Sequence, residues 1–322
     1  MLTGKENILR IEAPCKINVH LRVKDRRPDG YHDLESIFVA LVFGDTLWVE
    51  RTREEESCTI LMDWKALQAA GSVPAEEALP LQKNSVYRAV SLFRDETGFR
   101  GGIRVRVEKR IPLGSGLGGG SSDAASMLRA LQCLAAPKLP QKYLWEMALA
   151  LGSDVPFFLQ GGAAFVSGRG EQVLPLKAVK RLWVVLVYPG FPSDTTKAFH
   201  LMDQVRPEPD LAEDVGITEL IHALGDHPRS WPYRNDFLQV FLEAGNQEWA
   251  MVYRRVVQEL KGLGADFAGL SGAGSACFGI FSYEGAAKKA EALLSERGAE
   301  LNQRYFVQVT FPLAYWVNEG VE

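Results

Sequence analysis

The sequence is short of the features that mark secreted, membrane-spanning or nucleic-acid-binding chains. Its 322 residues include four cysteines, Cys15, Cys58, Cys133 and Cys277, with no CxxC pair and no metal-ligand spacing to histidine. That excludes a disulfide scaffold or a zinc module and predicts buried free thiols in a reducing compartment. The longest apolar run is LWVVLVYP from Leu182, far below the ~20 residues that cross a bilayer. Lys5, Glu6, Arg10 and Glu12 leave no room for a signal-peptide core in the first twelve residues. Charge of one sign is scarce as well: 36 Lys and Arg against 40 Asp and Glu give a net −4. Nothing in that balance favours nucleic acid or an anionic membrane, so a phosphate site has to be built locally. Internal repeats and low-complexity tracts are missing too. These absences predict a cytoplasmic protein with no nucleic acid, membrane or obligate protein partner.

What remains is globular: 47% hydrophobic and 24% charged, long enough for two cores. Ile17, Val19, Leu21 and Val23 alternate, as do Ile103, Val105 and Val107, which predicts half-buried strands. SIFVALVF and DTLWVE are two further strand candidates, and NSVYRAVSLFRDETG reads as a helix ending at Gly98. The stretch from Trp64 to Gln82 has weak periodicity and reads as an insertion. SSDAASMLRALQCL from Ser121 is a helix stopped by Pro137, and QKYLWEMALAL is another ending at Gly152. Later come a buried strand at Leu182, a polar segment from Gln204 to Pro232, and a turn and strand in LSGAGSACFGIF from Leu270. EGAAKKAEALLSERG then reads as a helix closed by its glycine, and RYFVQVTF as a last strand. The mixed order predicts an α+β fold, with domains over 1–178 and 179–322 and the boundary in the KAVKR link.

Residues 111–125, IPLGSGLGGGSSDAA, hold five glycines in the seven positions from Gly114 to Gly120. Each glycine inside an element costs roughly 0.5–1 kcal/mol relative to alanine, and close backbone approach to a ligand would offset it. A strand, a glycine run and then a helix form an anion site from free N–H groups and the helix dipole. Ser121 and Ser122 add hydroxyls that could cap the helix, bind a phosphate oxygen or reach a metal ion. No GK[ST] follows the glycines, so this is not a P-loop and the cation has to come from elsewhere. A second helix follows in place of a second strand and its acid, which excludes a dinucleotide fingerprint.

Three blocks, PCKINVHL from Pro14, the glycine stretch from Ile111 and LSGAGSACFGIF from Leu270, together resemble the signature motifs of the GHMP kinases. RRPDGYHDLES from Arg26 and LGSDVPFFLQGGAAFVSGRGE from Leu151 resemble one branch of that family, the kinases of 4-diphosphocytidyl-2-C-methyl-D-erythritol in the non-mevalonate isoprenoid route. Cys15 and Ser153 stand where alanine is usual, and the Trp64 and Gln204 segments lengthen the chain.

The resemblance implies an N-terminal domain like ribosomal protein S5 domain 2, a ferredoxin-like C-terminal domain, and ATP and substrate in the cleft between them. It implies ATP and Mg2+ as cofactors, with the metal ligands left open. Pro112, Gly114, Ser115, Gly116, Leu117, Gly118, Gly119, Gly120, Ser121 and Ser122 become the nucleotide site. Asp154 stands beside the accepting hydroxyl, Lys16 beside the transferred phosphate, and Asn18, on the same strand face as Lys16, bonds the substrate. Tyr31 and Phe199 become the walls of a cytosine slot and His32 a contact to the base edge, while Gly272 and Gly274 belong to a second loop closing over the substrate. Asn235 and Asp236 are expected to be structural, and Asp123 to serve helix capping and the dipole. A GHMP kinase for homoserine or a mevalonate derivative, or a nucleotide-binding regulator without transfer activity, stays open as an alternative.

Overall fold

A computed structural model of the chain describes residues 8–69, 80–177, 179, 182–205, 215–244, 247–300 and 305–314. Much of the Trp64 segment, part of the Gln204 segment and most of the KAVKR link lie outside them. The first sheet holds β1 (Ile8–Arg26), β2 (His32–Thr52), β3 (Cys58–Asp63), β4 (Gly102–Glu108), β5 (Ala163–Gly168) and β6 (Gln172–Leu176). Its order is β3-β4-β2-β5-β6, with β1 along the other edge of β2. SIFVALVF and DTLWVE, expected as two strands, are one 21-residue strand. Its first half pairs with β5 and its second with β4, while β1 runs along both. That length comes from its lack of any breaker other than Gly44 between Ser36 and Glu50.

After a short helix, α1 (Lys65–Ala69), the helices α2 (Ser85–Thr97), α3 (Gly119–Ala135), α4 (Gln141–Leu151) and α5 (Val155–Gln160) cover one face of this sheet. Helix α2 follows its sequence closely. Asn84 accepts from the N–H groups of Val86 and Tyr87, and Gly98 closes the helix at φ 69°. Val86, Val90 and Phe93 meet Phe38, Val49 and Val105 in the first core.

The second sheet has the order β10-β7-β9-β8, from β7 (Trp183–Tyr188), β8 (Phe267–Leu270), β9 (Cys277–Phe281) and β10 (Phe306–Thr310). Helices α6 (Thr195–Val205), α7 (Ile217–Ala223), α8 (Asp236–Ala244), α9 (Gln247–Gly262) and α10 (Glu284–Glu300) complete the fold. Helix α10 runs past Gly298, which was expected to end it. Cys15, Ile17 and Val19 of β1 share a core with Val184, Leu186, Phe278 and Ile280, so the sheets pack face to face. On the far side Val185, Val187, Tyr253, Leu260 and Leu294 form a third core. The order of layers is helix, sheet, sheet, helix, an α+β fold as expected. The cysteines are all free, as expected, but Cys133 is exposed and only Cys15 and Cys277 are fully enclosed.

Candidate active site

The glycine stretch lies between β4 and α3 and wraps a cavity of about 300 Å³. Pro112, Gly114, Ser115, Gly116, Gly118, Gly119, Gly120 and Ser121 line it, with Ser85, Arg88 and Val155 opposite. Two of the glycines are required by geometry. Gly116 has φ 76°, and a Cβ there would stand 2.2 Å from the Ser271 carbonyl oxygen; Gly118 has φ 76°, and its Cβ would stand 2.7 Å from the Phe158 ring. Positive φ is where side chains other than glycine's are strained.

Helix α3 begins at Gly119 with Gly118 as its cap, and no side chain caps it. The first N–H that closes on a carbonyl is that of Ser122, onto Gly118 at 2.9 Å. The N–H groups of Gly119, Gly120 and Ser121 therefore precede the first helical bond, where an anion can take them. Two of the residues assigned to the nucleotide site stand apart from the cavity lining. Ser122 is fully buried with an unpartnered hydroxyl, and its N–H is spent. Leu117 is buried in the core between the sheets and contributes through its carbonyl, which accepts from Lys16 N–H at 2.9 Å.

That bond sets Lys16 next to the loop. Its Nζ donates to Asn18 Oδ1 at 2.6 Å, lies 3.6 Å from Asp154 Oδ2 and sits 4.6 Å above the Phe38 ring. Asn18 Nδ2 donates to Ser36 Oγ at 3.0 Å. Asp154 stands at the start of α5 without capping it, its side chain 29% exposed against 5% for Lys16. VPFFLQ, expected only as an apolar run, is the helix that holds it. Burial pushes the Lys16 pKa below its usual value, and the charge of Asp154 opposes the fall. A buried cation and a partly exposed carboxylate thus face each other beside the glycine loop.

The second loop, Ser271 to Ser275, braces the first. Ser271 Oγ donates to the Gly116 carbonyl at 3.0 Å, and Ala276 N–H donates to that of Ser115 at 2.9 Å. A Cβ on Gly272 would lie 3.5 Å from Asn18 Oδ1, which places this loop beside the polar triad, while a Cβ on Gly274 would meet Tyr253. Asn235 is structural, as expected: its Nδ2 donates to the carbonyls of Leu270 and Gly272 at 2.8 and 2.9 Å. Asp236 likewise accepts from Val23 N–H at 2.9 Å.

Tyr31 and His32 lie at the end of the β1–β2 hairpin, where Phe199 of α6 meets His32. Tyr31 is 59% exposed, with the Arg169 guanidinium 5.0 Å from its ring centre. Phe199 stacks on His32, with ring centroids 5.2 Å apart and planes at 16°.

Two groups escaped the sequence reading. Arg88, on α2, lines the glycine-loop cavity and donates to the Leu151 carbonyl at 3.3 Å; it is a cation of the kind the missing P-loop lysine called for. Its signal was a basic residue one turn past the Asn84 cap. The other is Lys109, which is 1% exposed and donates to Asp45 Oδ2 and, at 2.7 Å, to Asp123 Oδ2. Asp45 Oδ1 also accepts the N–H groups of Arg110 and Ile111, which lead into the glycine loop. Asp123, expected at the helix cap, instead points into the interior. Burial pushes its carboxyl up to about 7; Lys109 pulls it down and Asp45 adds to the rise. Burial alone would lower Lys109, and its two carboxylate partners together raise it.

The GHMP kinases N terminal domain family matches residues 84–162, and the GHMP kinases C terminal family matches residues 251–300. A 4-diphosphocytidyl-2-C-methyl-D-erythritol kinase of Treponema pallidum is 35% identical over 295 residues, 90% of this chain and 95% of the relative. One of Solibacter usitatus is 37% identical over 289 residues, 89% and 85% of the two chains. A crystal structure of 4-(cytidine 5'-diphospho)-2C-methyl-D-erythritol kinase superposes with a TM-score of 0.72 at 30% identity, covering 94% of this chain and 99% of that one. A homoserine kinase from Cytophaga hutchinsonii shares the fold with a TM-score of 0.69 at 17% identity, over 98% and 97% of the chains.

Proposed function

This chain belongs to the GHMP kinase family, and we propose from that premise that it moves the γ-phosphoryl group of ATP to the 2-hydroxyl of 4-diphosphocytidyl-2-C-methyl-D-erythritol, in the non-mevalonate route to isoprenoids. The relatives named for that reaction align over about nine-tenths of the chain. The observation that carries the chemistry is Lys16 Nζ placed within 3.6 Å of Asp154 Oδ2 at the end of the glycine loop.

The free N–H groups of Gly119, Gly120 and Ser121 and the guanidinium of Arg88 would hold the triphosphate. The substrate oxygen attacks the γ-phosphorus and the bond to the bridging oxygen breaks, releasing ADP. Positioning and charge do most of the work in such a loose transition state. Lys16 stabilises charge on the moving group, and Asp154 orients the hydroxyl and accepts its proton. Asn18, held by Ser36, bonds the substrate, and Tyr31, His32 and Phe199 receive the base, with Gly272 and Gly274 in the adjoining loop.

Mg2+ fits as an ion carried by the nucleotide. Among the described residues no group of three or more His, Cys, Asp or Glu could hold a metal, and no carboxylate lines the loop cavity. Phosphate oxygens, water and the Ser121 hydroxyl are the available donors, a set that suits magnesium's retention of water. The ion would neutralise phosphate charge. A domain division at 178/179 is supported by the change of sheet between β6 and β7. The free thiols fit a cytoplasmic setting. No helix among the described residues is long and apolar enough to cross a membrane.

The test is ADP release with Mg2+ and ATP, comparing the diphosphocytidyl substrate with homoserine and mevalonate. Turnover confined to the cytidylated compound is expected. Equal or better turnover with another alcohol would keep the kinase and discard the base slot, and ATP binding with no turnover on any of them would favour a regulator.

A further inference from the structure

Helix α6 grips one imidazole twice. Phe199 and Asp203 are four residues apart and so share a helix face. Phe199 covers the plane of His32, and Asp203 Oδ1 meets its Nε2 at 2.9 Å. The carboxylate's other oxygen, Oδ2, lies 3.7 Å from Arg26 Nη1. Arg26 and His32 are register partners at the end of the β1–β2 hairpin, so one aspartate engages both strands. The His32 side chain is 7% exposed, and its Nδ1 has no partner among the described residues.

We propose that Asp203 is a positioning residue that fixes His32 in its Nε2–H tautomer, so that Nδ1 acts as an acceptor selecting cytosine over uracil. The inference rests on the reading that the substrate carries a cytosine. An ionised carboxylate can only accept, so the proton of a neutral ring lies on Nε2 and the lone pair on Nδ1. Cytosine presents its N4 amine as a donor where uracil presents the O4 acceptor. An acceptor facing O4 gains no bond, and both groups lose their water. Phe199 holds the ring plane, which keeps Nδ1 from rotating away. A tyrosine wall alone stacks either pyrimidine, since every base has a π-face; the discrimination comes from the tautomer.

Two measurements on the full chain test this. Side-chain 15N correlation spectra at pH 7.5 should show His32 as the Nε2–H tautomer, and Asp203→Leu should redistribute the proton between the nitrogens. An imidazolium or an Nδ1–H ring in the unmodified protein overturns the proposal. Calorimetry with CDP and UDP as probes should show CDP bound at least tenfold tighter, and Asp203→Leu should narrow that ratio by about tenfold, with ATP affinity unaffected. A ratio that survives the substitution unchanged also overturns it. If CDP is preferred through Asp203 but no ADP is released with the cytidylated alcohol, the kinase reading fails and the selector stands.

Discussion

Lys109 Nζ donates to Asp123 Oδ2 at 2.7 Å with both side chains withdrawn from water. The pair joins the strand before the glycine loop to the helix after it, and Asp45 ties in the connecting N–H groups. Removing one partner of a buried pair costs about 3–5 kcal/mol, because the remaining charge is stranded. Lys109→Met is therefore expected to lose at least ~3 kcal/mol of unfolding free energy in a urea titration. A loss near zero would mean that water reaches the cluster.

The same cluster gives a pH dependence of defined sign. Asp123 has a folded pKa raised to about 7, above its unfolded value of about 3.9. Between those values the folded state binds more protons than the unfolded one. Stability from this group is therefore full below its unfolded pKa and is lost as pH rises through about 7. Denaturation midpoints at pH 5, 6, 7 and 8 should fall more steeply for the unmodified protein than for Asp123→Asn. Parallel profiles would remove Asp123 as the titrating group.

Asp154→Asn keeps the shape of the side chain and removes the base. We expect kcat to fall by roughly 10²-fold or more, the range for a general base, with the KM for ATP nearly constant. Near-normal turnover would take Asp154 out of proton transfer.

Arg88 is exposed and makes one long hydrogen bond to the Leu151 carbonyl, so Arg88→Ala should hardly change the melting temperature. It should raise the KM for ATP by about tenfold, as expected for a charge-assisted phosphate contact of ~1.4 kcal/mol or more. An ATP affinity unchanged in steady-state kinetics would place the triphosphate away from α2.

Gly116→Ala adds a Cβ 2.2 Å from a backbone oxygen at φ 76°. The left-handed conformation alone costs roughly 1–2 kcal/mol, and the second loop has to retreat as well. Differential scanning calorimetry should show a lower melting temperature together with weaker ATP binding, and Gly120→Ala, whose nearest neighbour would be Ser85 Oγ at 3.8 Å, should show little thermal effect.

The sequence made local structure readable where capping and periodicity act within one turn. The Asn84 cap, the Gly98 stop, the β1 alternation and the glycine loop all follow from neighbours in the chain. It was less readable where partners are distant. Asp123 looks like a first-turn acid, and only Lys109 and Asp45, 14 and 78 positions away in sequence, show it to be part of a buried cluster. Ser122 directly follows the glycines in sequence, and its burial becomes evident only with α3 starting at Gly119, two residues before the first serine. Phe199 came from the family resemblance, and that it grips His32 beside Asp203 emerges only once α6 meets the hairpin.

Strand β1 sends Cys15, Ile17 and Val19 into the core between the sheets and Lys16 and Asn18 to the site. Successive side chains point to opposite faces, so a slip of one residue against β2 would exchange the two sets completely. Greasy side chains would then stand beside Asp154, and an ammonium would be sealed between two sheets. The molecule cannot be misthreaded here and still fold, so proofreading of the reaction centre is delegated to the assembly of the core. A chain that has reached its native state has already verified the placement of its lysine.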